Sequence, residues 1–141
     1  MSDTQAETVQ LLIPCRPEYV GVARLAVLGI ASRMPFSHDE VEDVRLAVSE
    51  ACTRAIERAG RKAATIRILS TVAAHALTIG ISDDVAEADA AAPSEEARLL
   101  QEAGLDQQGL GALLMEILVD KVEITTTATG TRVVLIKYAP E

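Results

Sequence analysis

The chain has 141 residues, 49% of them apolar, and its 21 acidic and 13 basic residues give a net charge of −8. A chain of this length and apolar content buries enough surface to fold as one domain without disulfides, which argues against disorder throughout. Acidity without a basic stripe argues against binding to a phosphate backbone, and one Phe, two Tyr and no Trp argue against a base-stacking platform.

The N-terminal part predicts a strand followed by a helix. Apolar residues alternate over residues 8–13, which is typical of a strand with one buried face. Apolar side chains then recur at i, i+3, i+4 and i+7 over residues 19–30, the pattern of an amphipathic helix. Leu25 and Leu28 widen this stripe, so we expect the helix to pack on two sides.

A capping box marks the start of a second helix. Ser37 can accept a hydrogen bond from the backbone of Glu40, and the Glu40 carboxylate can reach back to the cap. The apolar stripe continues to about Arg58, and Gly60 is a plausible C-terminal stop.

Two strands and an acidic segment follow. Residues 65–71 and 77–81 alternate and are joined by a short connection, which predicts an antiparallel hairpin. Residues 83–108 then hold eight acids against the single base Arg98. We call residues 83–108 the lid segment, because connections of this length in compact domains are usually functional lids. A short helix is possible near residues 94–103.

The C-terminal part predicts one helix and two strands. Gly109-Leu110-Gly111 opens the helix, whose predicted apolar side is Leu113, Leu114, Ile117 and Leu118. Strands follow at residues 122–128 and 132–138, with the turn at Thr129-Gly130. This element order predicts a two-layer α/β (α+β) sandwich, in which three helices cover one face of a mostly antiparallel sheet.

The sequence contains no recognisable targeting segment and no metal-binding spacing. No apolar run reaches the length of a membrane span, and residues 1–10 are polar without a basic start. Cys15 and Cys52 match no zinc or redox spacing, and Cys52 falls within a helical apolar stripe. We therefore expect a cytoplasmic protein with reduced thiols, no bound metal and no membrane partner.

Three segments carry a resemblance to a known family. The chain resembles the anti-sigma factor serine kinases of the GHKL superfamily, the histidine-kinase-like ATPases with the Bergerat fold. The resemblance runs from about residue 8 to residue 138. Its segments are Pro17-Glu18-Tyr19-Val20-Gly21, Ala47-Val48-Ser49-Glu50-Ala51-Cys52-Thr53, and Gly109-Leu110-Gly111 with Leu114-Met115-Glu116 and Asp120.

The resemblance implies a catalytic role for Glu50. In the family a Glu on the second helix activates the attacking serine hydroxyl, and an Asn four residues later binds Mg²⁺. Glu50 matches the Glu, but Arg54 stands at the Asn position. A guanidinium cannot ligate Mg²⁺, so this departure argues against magnesium-dependent catalysis, although Arg54 could contact nucleotide phosphates directly. Alternatively, Glu50 and Arg54 are an ordinary i, i+4 ion pair on a helix.

The resemblance also implies an ATP site. Asp83 matches the strand-end Asp that accepts the adenine amino group, while Val85 stands where the family has Gly. Asp83 and Asp84 could instead simply begin a solvated acidic loop.

Gly109, Leu110 and Gly111 match the phosphate-binding box at a helix start, or they form a hinge at the end of the lid segment. Arg24 lies where relatives dock partner proteins, or it is an ordinary exposed arginine.

Two functions follow from the resemblance. One is an anti-sigma factor that inhibits a sigma factor under the control of an anti-anti-sigma protein, as a homodimer with a degenerate ATP site. The other is a fully active ATP-dependent serine-protein kinase that phosphorylates the antagonist. An ATPase domain cut from a sensor kinase is a third reading, although the chain has no phosphoacceptor-His helix.

Overall fold

A computed structural model describes residues 6–92, 95–104 and 107–140, apart from the side chains of residues 97, 107 and 108. Short 3-10 turns at Pro17–Tyr19 and Glu87–Asp89 stand between the main elements. The predicted order of elements is confirmed, although residue 94, the predicted start of the lid helix, lies outside the described residues. The elements are β1 (Glu7–Pro14), α1 (Val20–Ala31), α2 (His38–Ala59), β2 (Thr65–Val72), β3 (Ala76–Asp83), α3 (Glu95–Glu102), α4 (Gln107–Leu118), β4 (Lys121–Thr127) and β5 (Gly130–Tyr138).

The strands form one sheet in the order β1-β2-β3-β5-β4, and each described pairing is antiparallel. Its register aligns Leu11, Ile68, Ile81 and Val133 across four strands on the face that carries the core. Helices α1, α2 and α4 contribute the other half of this core. The predicted α+β sandwich with three helices on one face is therefore confirmed, with α3 as an additional short helix.

Helix α2 begins and ends as its sequence predicts. The Ser37 hydroxyl accepts from the Glu40 amide at 3.1 Å, and the Glu40 carboxylate accepts from the Ser37 amide at 2.8 Å. Gly60 ends the helix with a φ of 59°, a backbone conformation that favours glycine. Much of the buried side of α2 is alanine, which allows close packing, and Cys52 lies in the core as expected.

Two helices pack differently from the prediction. Leu25 is 70% exposed, so the expected second packing side of α1 is wrong. In α4, Leu113, Leu114 and Ile117 are exposed, whereas Gly111 and Met115 are buried. The predicted apolar side of α4 is therefore wrong, apart from the half-buried Leu118. Glycine sets the orientation of α4, because its lack of a side chain lets this face approach α2 closely.

Backbone hydrogen bonds fasten the first part of the lid segment to the rest of the fold. The Glu87 amide donates to the Ala128 carbonyl at 3.0 Å, next to the β4–β5 turn. The Ala91 amide donates to the Arg58 carbonyl at 2.7 Å, in the last turn of α2. This part of the lid segment therefore bridges the end of α2 and the end of the sheet. In the described ranges, no helix combines the length and apolarity that crossing a membrane requires.

Candidate nucleotide site

One side of α2 carries a row of charged residues beside the buried stripe. Glu50, Arg54 and Arg58 are spaced four residues apart, so their side chains lie along the same side of the helix. Each of the two arginines is paired with a carboxylate of this chain. The row therefore divides into two ion-pair clusters, one in the middle of α2 and one at its end.

The first cluster joins Arg54 to two glutamates. Arg54 Nε lies 2.9 Å from Glu50 Oε2, and Arg54 Nη2 lies 3.0 Å from Glu57 Oε1. The Arg54 and Glu50 side chains are only 11% and 18% exposed, so solvent screens their attraction much less than that of a surface pair. The i, i+4 ion pair of the alternative interpretation is therefore present, but it is largely buried rather than solvated.

Helix α4 meets α2 at this cluster through Gly111. A Cβ atom at Gly111 would lie 2.7 Å from Glu50 Oε2 and 3.1 Å from Arg54 Cδ, so a larger residue would push these two side chains aside. Close approach, and not an unusual φ, favours glycine here. The predicted glycine box is thus in contact with the predicted catalytic Glu, but its helix begins at Gln107, two residues earlier than expected.

The second cluster surrounds Asp83. Strand β3 directs alternate residues inward, and Asp83 ends the series that contains Ile79 and Ile81, so its side chain is only 1% exposed. One carboxylate oxygen, Oδ1, accepts from the Val85 amide at 3.0 Å and the Thr131 amide at 3.3 Å. The alternative in which Asp83 begins a solvated loop is therefore wrong.

The other oxygen of Asp83 binds a cation from α2. Arg58 Nη2 lies 2.5 Å from Asp83 Oδ2, and the Arg58 side chain is 20% exposed. The β4–β5 turn closes in from the other side, since a Cβ atom at Gly130 would overlap the Asp83 carbonyl oxygen. Both oxygens of the carboxylate are therefore bonded within the protein.

The residues after Asp83 serve the fold. The Asp84 carboxylate accepts from the Thr65 amide at 2.7 Å and from its hydroxyl at 2.9 Å. The backbone hydrogen bond from Thr65 lowers the pKa of Asp84 below its ordinary value. Val85, at the family's glycine position, is buried in the core. The chain thus begins the lid segment with a fixed turn.

The other predicted site residues lie apart from these clusters. Gly109 and Leu110 are exposed in the first turns of α4. Arg24 is exposed on α1, and in the described part of the chain it takes part in no ion pair. The structure therefore brings Glu50, Arg54 and Gly111 together and places Asp83 near the end of the same helix.

A histidine kinase-like ATPase domain model matches residues 13–137. The chain belongs to this family.

Curated relatives of this ATPase domain agree with that assignment. The serine-protein kinase RsbW of Bacillus subtilis is 34% identical, and the match covers 94% of this chain and 86% of the relative. The serine-protein kinase RsbW of Listeria innocua is also 34% identical, with 98% and 91% covered. The resemblance to the GHKL serine-protein kinases is therefore confirmed.

A solved structure has the same fold. The RsbU and RsbW domains of Rv1364c from Mycobacterium tuberculosis match with a TM-score of 0.70 at 14% identity. The match covers 96% of this ATPase domain and 33% of that chain. At this identity the likeness supports the fold alone.

Membership of an ATPase family implies ATP as the nucleotide, but the residues of this ATPase domain do not fit a magnesium ion. Arg54 offers only N–H donors where a metal ligand would stand. Over the described ranges, no group of three or more His, Cys, Asp or Glu could hold a metal ion.

Sequence reasoning missed Arg58 as a site residue. In the sequence Arg58 only marks the end of the apolar stripe of α2. In the structure Arg58 is the cation that pairs with Asp83. The available signal was its position four residues after Arg54 and eight after Glu50 on the same helix.

Proposed function

We propose that this chain is an anti-sigma factor that binds and inhibits an RNA polymerase sigma factor under the control of an anti-anti-sigma antagonist. In this proposal the protein acts by binding, and its ATP site is degenerate. Its relatives bear the name serine-protein kinase, so the proposal keeps their fold while setting aside their activity.

The pairing of Arg54 with Glu50 is the observation that carries the proposal. A general base must be free to accept a proton from the substrate hydroxyl. Here Arg54 Nε lies 2.9 Å from Glu50 Oε2 in a largely buried ion pair next to Gly111. Phosphoryl transfer also relies on metal ions to neutralise developing charge, and Arg54 removes a metal ligand. Arg54 in place of the family's Asn thus weakens both the general base and the metal site.

The remaining predicted residues have roles within this proposal. Asp83 is the ancestral base-recognition carboxylate, and Gly109, Leu110 and Gly111 form the ancestral phosphate-binding box. Residues 83–108 act as the lid of a single domain that spans residues 1–141. We propose Arg24 as a partner contact, since it is exposed on α1 without an ion-pair partner in the described structure.

Charge supports a basic protein partner. The net charge is −8, and the lid segment holds eight acids against one base. Complementary charge accelerates the encounter between proteins and suppresses incorrect partners. A DNA-binding sigma factor has the basic character that this surface suits. We propose that the complex forms in the cytoplasm and that the chain acts as a homodimer.

A fully active serine-protein kinase is the second candidate function. Glu50 and Gly111 remain in contact with each other, and the curated relatives are named as kinases. In that case Arg54 would turn from Glu50 to the phosphates when ATP enters. Guanidinium groups bind phosphate through paired hydrogen bonds, so this movement is chemically reasonable.

The deciding experiment measures sigma-factor binding and phosphate transfer separately. We expect the purified chain to co-elute with a sigma factor in EDTA without added nucleotide. Arg24→Ala should weaken this complex, whereas Arg61→Ala, an exposed arginine beyond α2, serves as the matched control. A panel of sigma factors from the source organism in which none co-elutes would refute the proposal.

Phosphate transfer is tested with ATP, Mg²⁺ and the antagonist protein. We expect the wild type to transfer no more phosphate than the Glu50→Gln variant. Transfer by the wild type that Glu50→Gln abolishes would establish the kinase instead. Arg54→Asn restores an oxygen ligand and removes the cation from Glu50, so it is the variant in which metal-dependent transfer should reappear.

A further inference from the structure

We infer that Arg58 determines what the nucleotide site accepts, because its guanidinium occupies the Asp83 carboxylate and excludes the neutral amino group of adenine. The inference rests on the proposed assignment of Asp83 to base recognition. It concerns ligand selection and makes no assumption about which protein partner the chain binds.

The contacts and the burial of Asp83 leave its carboxylate poorly accessible to a ligand. Oδ1 accepts from two backbone amides, those of Val85 and Thr131, and Oδ2 accepts from Arg58 at 2.5 Å. The Asp83 side chain is 1% exposed, whereas Arg58 is 20% exposed. The guanidinium is therefore more accessible to solvent than the carboxylate that it binds.

The competition between Arg58 and adenine favours Arg58. A hydrogen bond between a cation and a carboxylate is roughly twice as strong as one between neutral groups. The adenine amino group is neutral, and it would have to displace a cation from a buried anion. Displacement of Arg58 would also break the ion pair that neutralises the buried Asp83 carboxylate, which is unfavourable. The intramolecular donor is already in place and loses no translational freedom.

The two arginines of α2 have opposite consequences for different parts of a nucleotide. Arg58 blocks base recognition at Asp83, while Arg54, the cation beside Gly111, could bind a phosphate only by leaving Glu50 and Glu57. Any remaining affinity should therefore depend on phosphate charge and not on the base. The wild type should treat ATP, GTP and inorganic tripolyphosphate alike.

The test is calorimetric titration in EDTA with ATP, GTP, tripolyphosphate and adenosine. We expect wild-type affinities for ATP and GTP that agree within about twofold, or no binding of either, and no adenosine binding at millimolar concentration. Arg58→Gln is neutral and shorter, so it frees Asp83 Oδ2. This variant should gain adenosine binding and prefer ATP over GTP by about tenfold or more. Arg61→Ala, three residues further along, is the matched control and should behave as the wild type.

Two results would overturn the inference. One is a wild type that already prefers ATP over GTP by about tenfold. The other is a folded Arg58→Gln variant that gains no preference for adenine. If Arg58→Gln does not fold, Arg58→Met removes the same guanidinium but keeps an unbranched side chain. A folded Arg58→Met variant should also gain adenosine binding and prefer ATP over GTP, and the absence of both gains would refute the inference.

The same variants separate this inference from the proposed function. Sigma-factor binding is measured on each of them by co-elution. Failure of every sigma factor to bind, with adenine selectivity gained in Arg58→Gln, would refute the anti-sigma proposal and leave the role of Arg58 established. Binding of a sigma factor, with no adenine selectivity gained in Arg58→Gln, would refute only the role of Arg58.

Discussion

Removal of the Arg58 side chain tests how strongly α2 is fastened to the end of β3. Arg58→Ala leaves the Asp83 carboxylate, 1% exposed, without its cation. Breaking a buried ion pair in this way costs about 3–5 kcal/mol. Arg58 itself is 20% exposed, and two backbone amides continue to donate to Asp83. The cost of removing Arg58 should therefore lie at the lower end of this range. We expect the free energy of unfolding to fall by about 3 kcal/mol.

A double-mutant cycle isolates the interaction between the two side chains. Asp83→Asn keeps an acceptor for the backbone amides but loses the anion, so it should cost about 1–3 kcal/mol. The double variant should cost less than the sum of the two single variants, with a coupling of about 1–3 kcal/mol. Urea unfolding followed by circular dichroism measures each free energy, and the melting temperature of Arg58→Ala should fall by about 10 °C.

The result that would refute this reasoning is a small effect that salt removes. A loss below about 1 kcal/mol that vanishes at high ionic strength is the behaviour of a solvated surface pair. Arg61→Ala is the control, since it deletes an exposed arginine near the same helix end and should change stability by about 0.5 kcal/mol or less. An equal loss in both variants would mean that general charge, and not the buried pair, is responsible.

Three further predictions concern glycine packing, acid stability and the thiols. Gly130→Ala places a Cβ atom against the carbonyl oxygen at the end of β3, so thermal melting should show a loss of about 1–3 kcal/mol, and an unchanged melting temperature would contradict this close approach. The hydrogen bonds from Thr65 lower the pKa of Asp84 below its unfolded-state pKa near 3.8. These hydrogen bonds therefore stabilise the protein above that pH, and the stabilisation is lost as the pH falls through the pKa of Asp84 in the folded state. Asp84→Asn should make the free energy of unfolding, measured by urea titration, depend less on pH in the acid range. An unchanged pH dependence would argue against a contribution from Asp84. Burial raises the pKa of Cys15 to about 11 and that of Cys52 to about 12. The two protonated thiols therefore contribute fully to stability below the pKa of the unfolded chain. This contribution is lost as the pH rises through 11 to 12. Near pH ~8.5, mass spectrometry should find neither thiol alkylated by iodoacetamide in the native protein and both in urea, whereas rapid native labelling would contradict their burial.

The sequence predicted those elements that local patterns determine. The capping box at Ser37 and Glu40 and the helix end at Gly60 are formed as expected, because caps depend only on adjacent residues. The strands were found because alternation reports directly on a sheet with one buried face. The family resemblance added what local patterns lack, namely which residues of distant elements share a site.

The errors have a common physical cause. Hydropathy gives weight to large side chains, so it placed Leu113 and Ile117 in the core and ignored Gly111. The packing of α4 is instead decided by closest approach, where the absence of a side chain matters most. The ion pair of Arg58 with Asp83 spans 25 residues and joins a helix end to a strand end. Spacing along α2 places Arg58 in line with Arg54 and Glu50, but it does not identify the partner of Arg58 on β3.

The position of β1 in the sheet also bears on how the molecule assembles. Strand β1 pairs with β2, but residues 15–64, which contain both α1 and α2, separate them. The hairpins β2–β3 and β4–β5 close over short loops, whereas pairing β1 requires a long loop whose entropy must be lost first. We therefore expect β1 to join the sheet late in folding. During synthesis β1 leaves the ribosome before β2, so it cannot form this pairing until both helices and β2 have followed it.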